Sequence, residues 1–468
     1  MSTHAHKRIF SVLTLAAPLL VLALLVAGCG IVNTIENATG TNTTGSAFVI
    51  GTDAPVASVV SFNATISSVN AITADGTSVS LVSGSPTIDF ARYNGLQTLM
   101  DMNNVDVGTY TQIAVTFSSA TIGYLQTQTG AAPAIQTMNA TFTNSTYTQT
   151  LANPLVVTQT GPVGIRMDFR LDKSIQVSGG AITGDVDPVL DITAVGPSDP
   201  GAYIDEFIAG VVNPTLSAQS FSIKGPHGRT FTVNVNGSTE WDNGEGLSNL
   251  TSTSIVQISG VIDRADSTID ADEVAILSQD GFYAGGLITD VMPSTGTATN
   301  FQVYVRGTLP ANGDGITDGT IAQVDLSGSE KFFIYWMHNK LTQFLFNPST
   351  LLAGQHITVG GALSGAANEQ ALSVKRVVLR QRGYDGTLVA NSVNTGNGSF
   401  QMTVNGFAGV LIPQTVTVYT FPGTSFRGGL NEVGDVSSAT NIRVVGLFLK
   451  DPTSGNSVIL ARYVDELD

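Results

Sequence analysis

Apolar and polar residues alternate with a period of two along much of this chain. The pattern is plain in Val60-Ser61-Phe62-Asn63-Ala64-Thr65-Ile66, in Tyr110-Thr111-Gln112-Ile113-Ala114-Val115-Thr116-Phe117 and in Ile165-Arg166-Met167-Asp168-Phe169-Arg170-Leu171. Such alternation puts one row of side chains on a core and the other in water, and it predicts β-strands. Between Gly95 and Val105 the spacing of Leu96, Leu99 and Met100 predicts a helical turn instead. Two further stretches break the rhythm. Ile9 to Ala27 is almost purely apolar, and residues 30–45 (GIVNTIENATGTNTTG) are polar, Gly-rich and aperiodic. The second reads as a flexible tether whose ends would lie on the order of 20 Å apart as a coil.

After Tyr203 one layout recurs three times. Each copy opens with an apolar or aromatic residue two positions before a glycine: Ile208 with Gly210, Tyr283 with Gly285, Tyr384 with Gly386. Each later has a strand that runs into glycine, at Gly260, Gly361 and Gly446. Each closes on paired small or branched residues, Ala271 with Val274, Val374 with Val377, and Ala461 with Val464. A glycine in a strand-like run marks a bulge, a bend or a close backbone approach, which small barrels need to curl their sheets. The expectation is an all-β chain: an antiparallel β-sandwich over residues 46–196, then three tandem small OB-like β-barrel repeats at 203–279, 281–382 and 383–468. The opening glycines are unequally spaced, so the middle copy carries inserted loops.

Composition agrees with this picture. Charged residues make up 12% of the chain, about half the usual 25%. Glycine is abundant, and Lys and Glu, which cover exposed helices, are scarce. The net charge is −16, and the first 28 residues hold Lys7 and Arg8 but no acid, so the remainder stands at −18. Phosphate backbones demand the opposite sign, so no nucleic-acid partner is expected.

The beginning of the chain has its own chemistry. His4, His6, Lys7 and Arg8 precede the apolar run, a pattern read by the export machinery. Its length would also suit a transmembrane helix. Leu25-Val26-Ala27-Gly28-Cys29, which follows, resembles the lipobox of bacterial lipoproteins, and Cys29 is the one cysteine in the chain. The resemblance implies cleavage after Gly28 and a diacylglycerol thioether on Cys29. Two or three acyl chains would hold the protein lastingly on a bilayer, where one holds only marginally. Gly30 is not the aspartate that retains many lipoproteins at the inner membrane, which points to the outer membrane.

Two further resemblances concern the folded part. Thr52-Asp53-Ala54-Pro55 and Val107-Gly108-Thr109-Tyr110 resemble the domain-of-unknown-function 4382 family, whose members often follow a lipobox by a short tether. The three-fold layout after Tyr203 resembles the domain-of-unknown-function 5666 repeat family. Neither resemblance implies an activity or catalytic residues.

Catalytic and metal-binding patterns are missing from the sequence. There is no HExxH helix, GxSxG elbow, GxxxxGK[ST] loop or Ser-x-x-Lys pair. His227, His338 and His356 are far apart and read as ordinary strand or loop residues. Asn312 to Gly319 offers oxygen donors, but Ile316 sits where a calcium loop would place its third, so the stretch reads as a turn. Asp263, Asp266, Asp270, Asp272 and Glu273 read as a solvated strand connection. No cofactor and no metal are expected. One aromatic patch stands out: Phe332, Phe333, Tyr335 and Trp336, with Phe344-Leu345-Phe346 beyond it. Exposed, it would be a binding face for a sugar, peptide or protein; buried, it would be the core of the enlarged middle repeat. The reading is therefore a lipid-anchored envelope protein, not an enzyme, whose β-domains form a binding or spacer array for an envelope protein or polysaccharide. A hydrolase assembled from separated residues and a purely structural spacer are the alternatives.

Overall fold

The computed structural model describes residues 44–467, apart from 55–58, 127–133, 180, 226–227, 264–267, 311–315, 336–343, 365–370 and 405–414. The apolar leader, Gly28, Cys29 and the tether up to residue 43 lie outside the described residues, as do His227, Trp336 and His338. Nearly every described element is a β-strand.

Two sheets build the first domain. A four-stranded sheet orders Leu190–Val195, Val163–Arg170, Thr44–Ala54 and Thr98–Asp106. An eight-stranded sheet is organised around the long pair Val59–Thr73 and Gly108–Gln126. Most pairings are antiparallel, while Ala47–Ala54 runs parallel to Val163–Arg170. The alternating positions read from the sequence form the shared core: the Phe169 ring lies 5.0–5.3 Å from those of Phe62, Phe90 and Phe117.

The helical turn expected between Gly95 and Val105 is not there. Thr98–Asp106 is a strand, and the short 3-10 helix lies earlier, at Phe90–Tyr93. The cause is burial on both faces. Met100 faces the sandwich core, while Leu99 and Met102 join the core of the following barrel. A strand covered on both sides loses its polar row, and with it the period of two.

Three six-stranded sheets follow, over Ile204–Ser278, Phe282–Arg380 and Arg382–Leu467. In the first, Thr230–Asn234 pairs in parallel with the last strand, Ile269–Ser278, and closes a five-stranded barrel. In the third, Thr415–Tyr419 closes on Ser457–Leu467 in the same way. In each copy a short strand also lies parallel to the last one, bringing Trp241 opposite Val274, Phe332 opposite Val377 and Phe426 opposite Val464. Phe332 thus has a counterpart in every barrel.

The late glycines also correspond on the ladders. Gly260, Gly361 and Gly446 each sit at a register shift, facing Ala271, Val374 and Ala461. A Cβ at any of them would stand 2.1 Å from a carbonyl oxygen of the neighbouring strand: Asp270, Ser373 or Leu460. The early glycines correspond less closely. Gly386 pairs with Ile442 and Gly286 with Ile357, so Gly285 sits one rung away, and Ala209 rather than Gly210 faces the equivalent Val256.

The sandwich and the three barrels belong to one compact unit. Phe48 and Ile50 of the first strand pack into the core of the first barrel, while Ala47 and Val49 face the sandwich. Leu447 and Leu449 of the third barrel pack into the core of the second, while Phe448 faces its own. Strands with apolar residues on both faces therefore join neighbouring domains.

Candidate functional site at the junction of the domains

Charge is rare in this chain, yet much of it is buried where the domains meet. The first strand of the first barrel, Ile204–Ser217, shifts register between Ile204 and Phe207. Such a shift re-aims the inserted side chains, and both Asp205 and Glu206 are buried here. Glu206, 2% exposed, accepts a hydrogen bond from Arg92 Nε of the sandwich (3.1 Å) and another from Arg380 at the end of the second barrel. Arg380 is wholly buried and lies over the Tyr335 ring. Burial opposes ionisation of Glu206, but Arg380 and Arg92 outweigh it and bring the carboxyl pKa down to about 2.

The same junction joins the other elements. Arg306 Nε of the second barrel donates to Asp89 Oδ2 of the sandwich (2.7 Å), whose Oδ1 accepts from the Phe62 amide (2.8 Å). Asp205 accepts from the Gln97 amide of the sandwich (2.9 Å) and from the Tyr463 hydroxyl of the third barrel (3.0 Å). Arg376 of the second barrel pairs with Glu245 of the first. Each pair ties two domains together. Breaking a buried pair on one side leaves an uncompensated charge, which costs more than the pair itself contributes.

Three buried guanidiniums, Arg92, Arg306 and Arg380, share two buried carboxylates, Asp89 and Glu206. Arg92 Nη2, Arg306 Nη2 and Arg380 Nη1 keep no hydrogen-bond partner among the described residues. Nearby, burial brings the pKa of Arg382 down to about 10, with Arg306 among its repelling neighbours. Asp318, on whose pKa both Asp89 and Arg92 act, is a third carboxylate beside this cluster.

Two clefts open on this junction. One, of about 360 Å³, has Arg92, Arg306 and Asp318 on its polar side and Leu99, Phe207 and Leu309 among its apolar walls. The other, of about 390 Å³, lies where Thr52, Arg166 and Asp168 face Arg427, Arg443 and Asp465. Beside the second stands the Thr52-Asp53 motif. Thr52 Oγ1 donates to Tyr93 O (3.2 Å), while Asp53 is 1% exposed with no partner for either carboxylate oxygen among the described residues. Burial, reinforced by Asp168, raises its pKa well above the usual carboxylate range.

Of the described residues of the aromatic patch, Tyr335, Phe344 and Phe346 are buried, Phe332 and Phe333 are half-buried and Leu345 is exposed. Tyr335 is buried against the first barrel with its hydroxyl hydrogen-bonded to Ser259. Phe332 is half-buried and packs edge-on to Phe346, and Phe333 is half-buried with Arg376 over its ring at 4.9 Å. His356 is 1% exposed; Nδ1 is bonded to Gln381 O (2.8 Å), and Nε2 has no partner among the described residues. Burial lowers its pKa well below the usual histidine range, so it is neutral. No group of three or more His, Cys, Asp or Glu among the described residues could hold a metal ion.

The acidic stretch from Asp263 to Glu273 is not wholly a solvated connection. Glu273 is 6% exposed, beside Asp242 and Arg462, because its strand runs between barrels. Burial first, and then Asp242, push its pKa up to about 8. The folded protein therefore binds a proton that the unfolded chain releases near pH 4.5. Stability from this group is present below that pH and declines as pH rises towards about 8. Glu273→Gln should flatten the decline, by on the order of a few kcal/mol at pH 9, in urea unfolding followed between pH 5 and 9. An unchanged slope would show that Glu273 ionises normally.

The residues of the hub were not anticipated from sequence, although a signal existed. Arg306 follows Val303-Tyr304-Val305, and Arg380 follows Val377-Val378-Leu379. A charge inside an apolar strand run demands a buried partner.

No curated protein and no solved structure matches this chain. Residues 44–184, most of the sandwich, match the model of the family described as Domain of unknown function (DUF4382).

Proposed function

We propose that the protein is a lipid-anchored envelope lipoprotein whose sandwich and three barrels act as one non-enzymatic binding body. The observation that carries this reading is the buried hub of Arg92, Glu206, Arg380, Arg306 and Asp89, which links three of the four domains. A string of independent modules would gain by effective concentration. A locked body instead offers clefts between its domains, where ligand sites commonly form. The barrels correspond on their ladders, which supports reading them as copies of one repeat, related to the 5666 family.

The anchor rests on the lipobox resemblance at Leu25 to Cys29, and the partner would be an envelope protein or a polysaccharide. Mass spectrometry of the protein from its native host should find an N-terminal Cys29 carrying acyl chains. Retention of Met1, or an unmodified Cys29 thiol, would overturn the anchor. Pull-down and glycan-array binding test the other half, and two blank results would remove the binding role. The aromatic patch favours a structural part for the middle barrel, since Tyr335 and Phe332 pack inward. The hydrolase alternative gains no support from His356, whose Nε2 has no hydrogen-bond partner among the described residues.

A further inference from the structure

We propose that the cleft between the sandwich and the third barrel holds one unit of an uncharged polysaccharide, bound through its hydroxyls by Arg166, Arg427, Arg443 and Asp465. The proposal rests on the binding-body reading and deepens it, choosing the polysaccharide over the envelope protein and fixing its charge.

Two short rows of polar side chains meet in this cleft. On the sandwich, Arg166 and Asp168 stand two residues apart on one face of Val163–Arg170, with Thr193 opposite the first and Thr52 opposite the second. On the third barrel one rung crosses four strands as Asp385, Arg443, Asp465 and Arg427. Gly95 lets the barrel approach, since a Cβ there would stand 2.8 Å from Arg443 Cδ.

The free polar atoms of these rows reach solvent. Arg166 spends Nε on Gln97 and Nη2 on Asp168, and Arg443 spends Nε and Nη2 on Asp385. Both Nη1 atoms are left without a partner among the described residues, on side chains 31% and 15% exposed, and neither is sealed. Arg427 is exposed and lies over the Tyr463 ring at 3.6 Å, with no hydrogen bond among the described residues. Half-buried Asp465, between the two arginines of its rung, likewise accepts no hydrogen bond from a described residue. The cleft therefore presents free donors on both walls and a free acceptor between them.

Charge decides the ligand class. Arg166, Arg427 and Arg443 are matched by Asp168, Asp385 and Asp465, so no net charge draws an ion of either sign. A sugar hydroxyl both donates and accepts, and its bonds to charged partners are the stronger kind. Among the described lining residues Pro200 alone has an apolar side chain, so the cleft lacks the pockets that read peptide side chains. Its volume of about 390 Å³ lies within the range of small-molecule sites.

The full chain purified in detergent would be titrated calorimetrically with glucose, galactose, mannose and N-acetylglucosamine. Glucuronate and glycine serve as anionic and zwitterionic counterparts. At least one neutral sugar should bind saturably, in the millimolar range and independently of added salt, with both counterparts weaker. Asp465→Asn should weaken that sugar about tenfold by removing the charged acceptor, and Arg427→Met, at an exposed position, should do the same. Thr193→Trp, also at an exposed position, should abolish binding by filling the cleft, and an unchanged thermal transition would show each variant folded. Silence from all four sugars, tighter binding of glucuronate or glycine, or sugar binding that Asp465→Asn or Thr193→Trp leaves unchanged would overturn the assignment. Pull-down or glycan-array binding that persists after such a failure would leave the binding body standing and remove this site alone.

Discussion

Glu206→Ala is expected to lower the unfolding free energy by about 3–5 kcal/mol, the cost of leaving buried charge without its partner. The carboxylate lies between Arg92 and Arg380, so its removal leaves two guanidiniums unpaired in the interior. Urea unfolding at pH 7 reads the loss directly. Glu206→Gln keeps the shape and one acceptor but not the charge, and should recover only part of it. The pH dependence has a definite sign. A carboxyl pKa held at about 2 in the folded state contributes stability that is present above the unfolded value near 4.5 and is lost as pH falls towards 2. That acid limb should be missing from Glu206→Gln. A loss below about 1 kcal/mol would mean that the hub is solvated and does not hold the domains.

The second large effect concerns glycines that look alike in sequence. Gly446→Ala should destabilise the protein by about 1–3 kcal/mol, towards the upper end, because the clash is with backbone. The added methyl would stand 2.1 Å from Leu460 O and 2.9 Å from its carbonyl carbon, and both strands are fixed by their ladder. No rotamer relieves such a contact. Gly361→Ala meets Ser373 O at the same distance and should behave alike, while Gly260→Ala, which meets Asp270 O at that distance from a backbone with φ +159°, should cost at least as much. Gly210→Ala has no heavy atom within 4 Å of the new methyl and should be neutral or slightly stabilising. Thermal unfolding of the four variants gives the comparison. Equal effects at Gly210 and Gly446 would show that the bulges relax freely.

The strand content and the three-fold correspondence were legible because both rest on local signals. Alternation at Val60–Ile66 and Ile165–Leu171 marks strands with one apolar and one polar row, and Gly260, Gly361 and Gly446 stand where a side chain would meet backbone. What failed was local pattern under two-sided burial. Thr98–Asp106 looked helical because its second face is covered by the first barrel, which replaces the polar row with Leu99 and Met102. The run Ala47-Phe48-Val49-Ile50 carries the same information, since four consecutive apolar residues predict a strand buried on both sides.

The candidate site was less legible than the fold. Arg92, Glu206, Arg306 and Arg380 are brought together across more than 280 positions of chain by docking between domains, and no spacing rule reports that. Asp53, within a motif read for its family resemblance, is buried at the same junction with both oxygens unpartnered among the described residues. Sequence placed the aromatic patch between core and binding face. Tyr335 is settled by Ser259, in a neighbouring barrel, and Arg380, at the end of the strand paired with Lys331–Ile334.

The binding half of the functional reading depends on the sandwich and the barrels forming one body. Scanning calorimetry of the full chain in detergent tests this most directly. A single transition is expected, with calorimetric and van't Hoff enthalpies in agreement, because exposing one domain would strand the buried charges of its neighbours. Two or more resolved transitions, or a calorimetric enthalpy several times the van't Hoff value, would mean that the domains melt independently and that the clefts between them are not built sites.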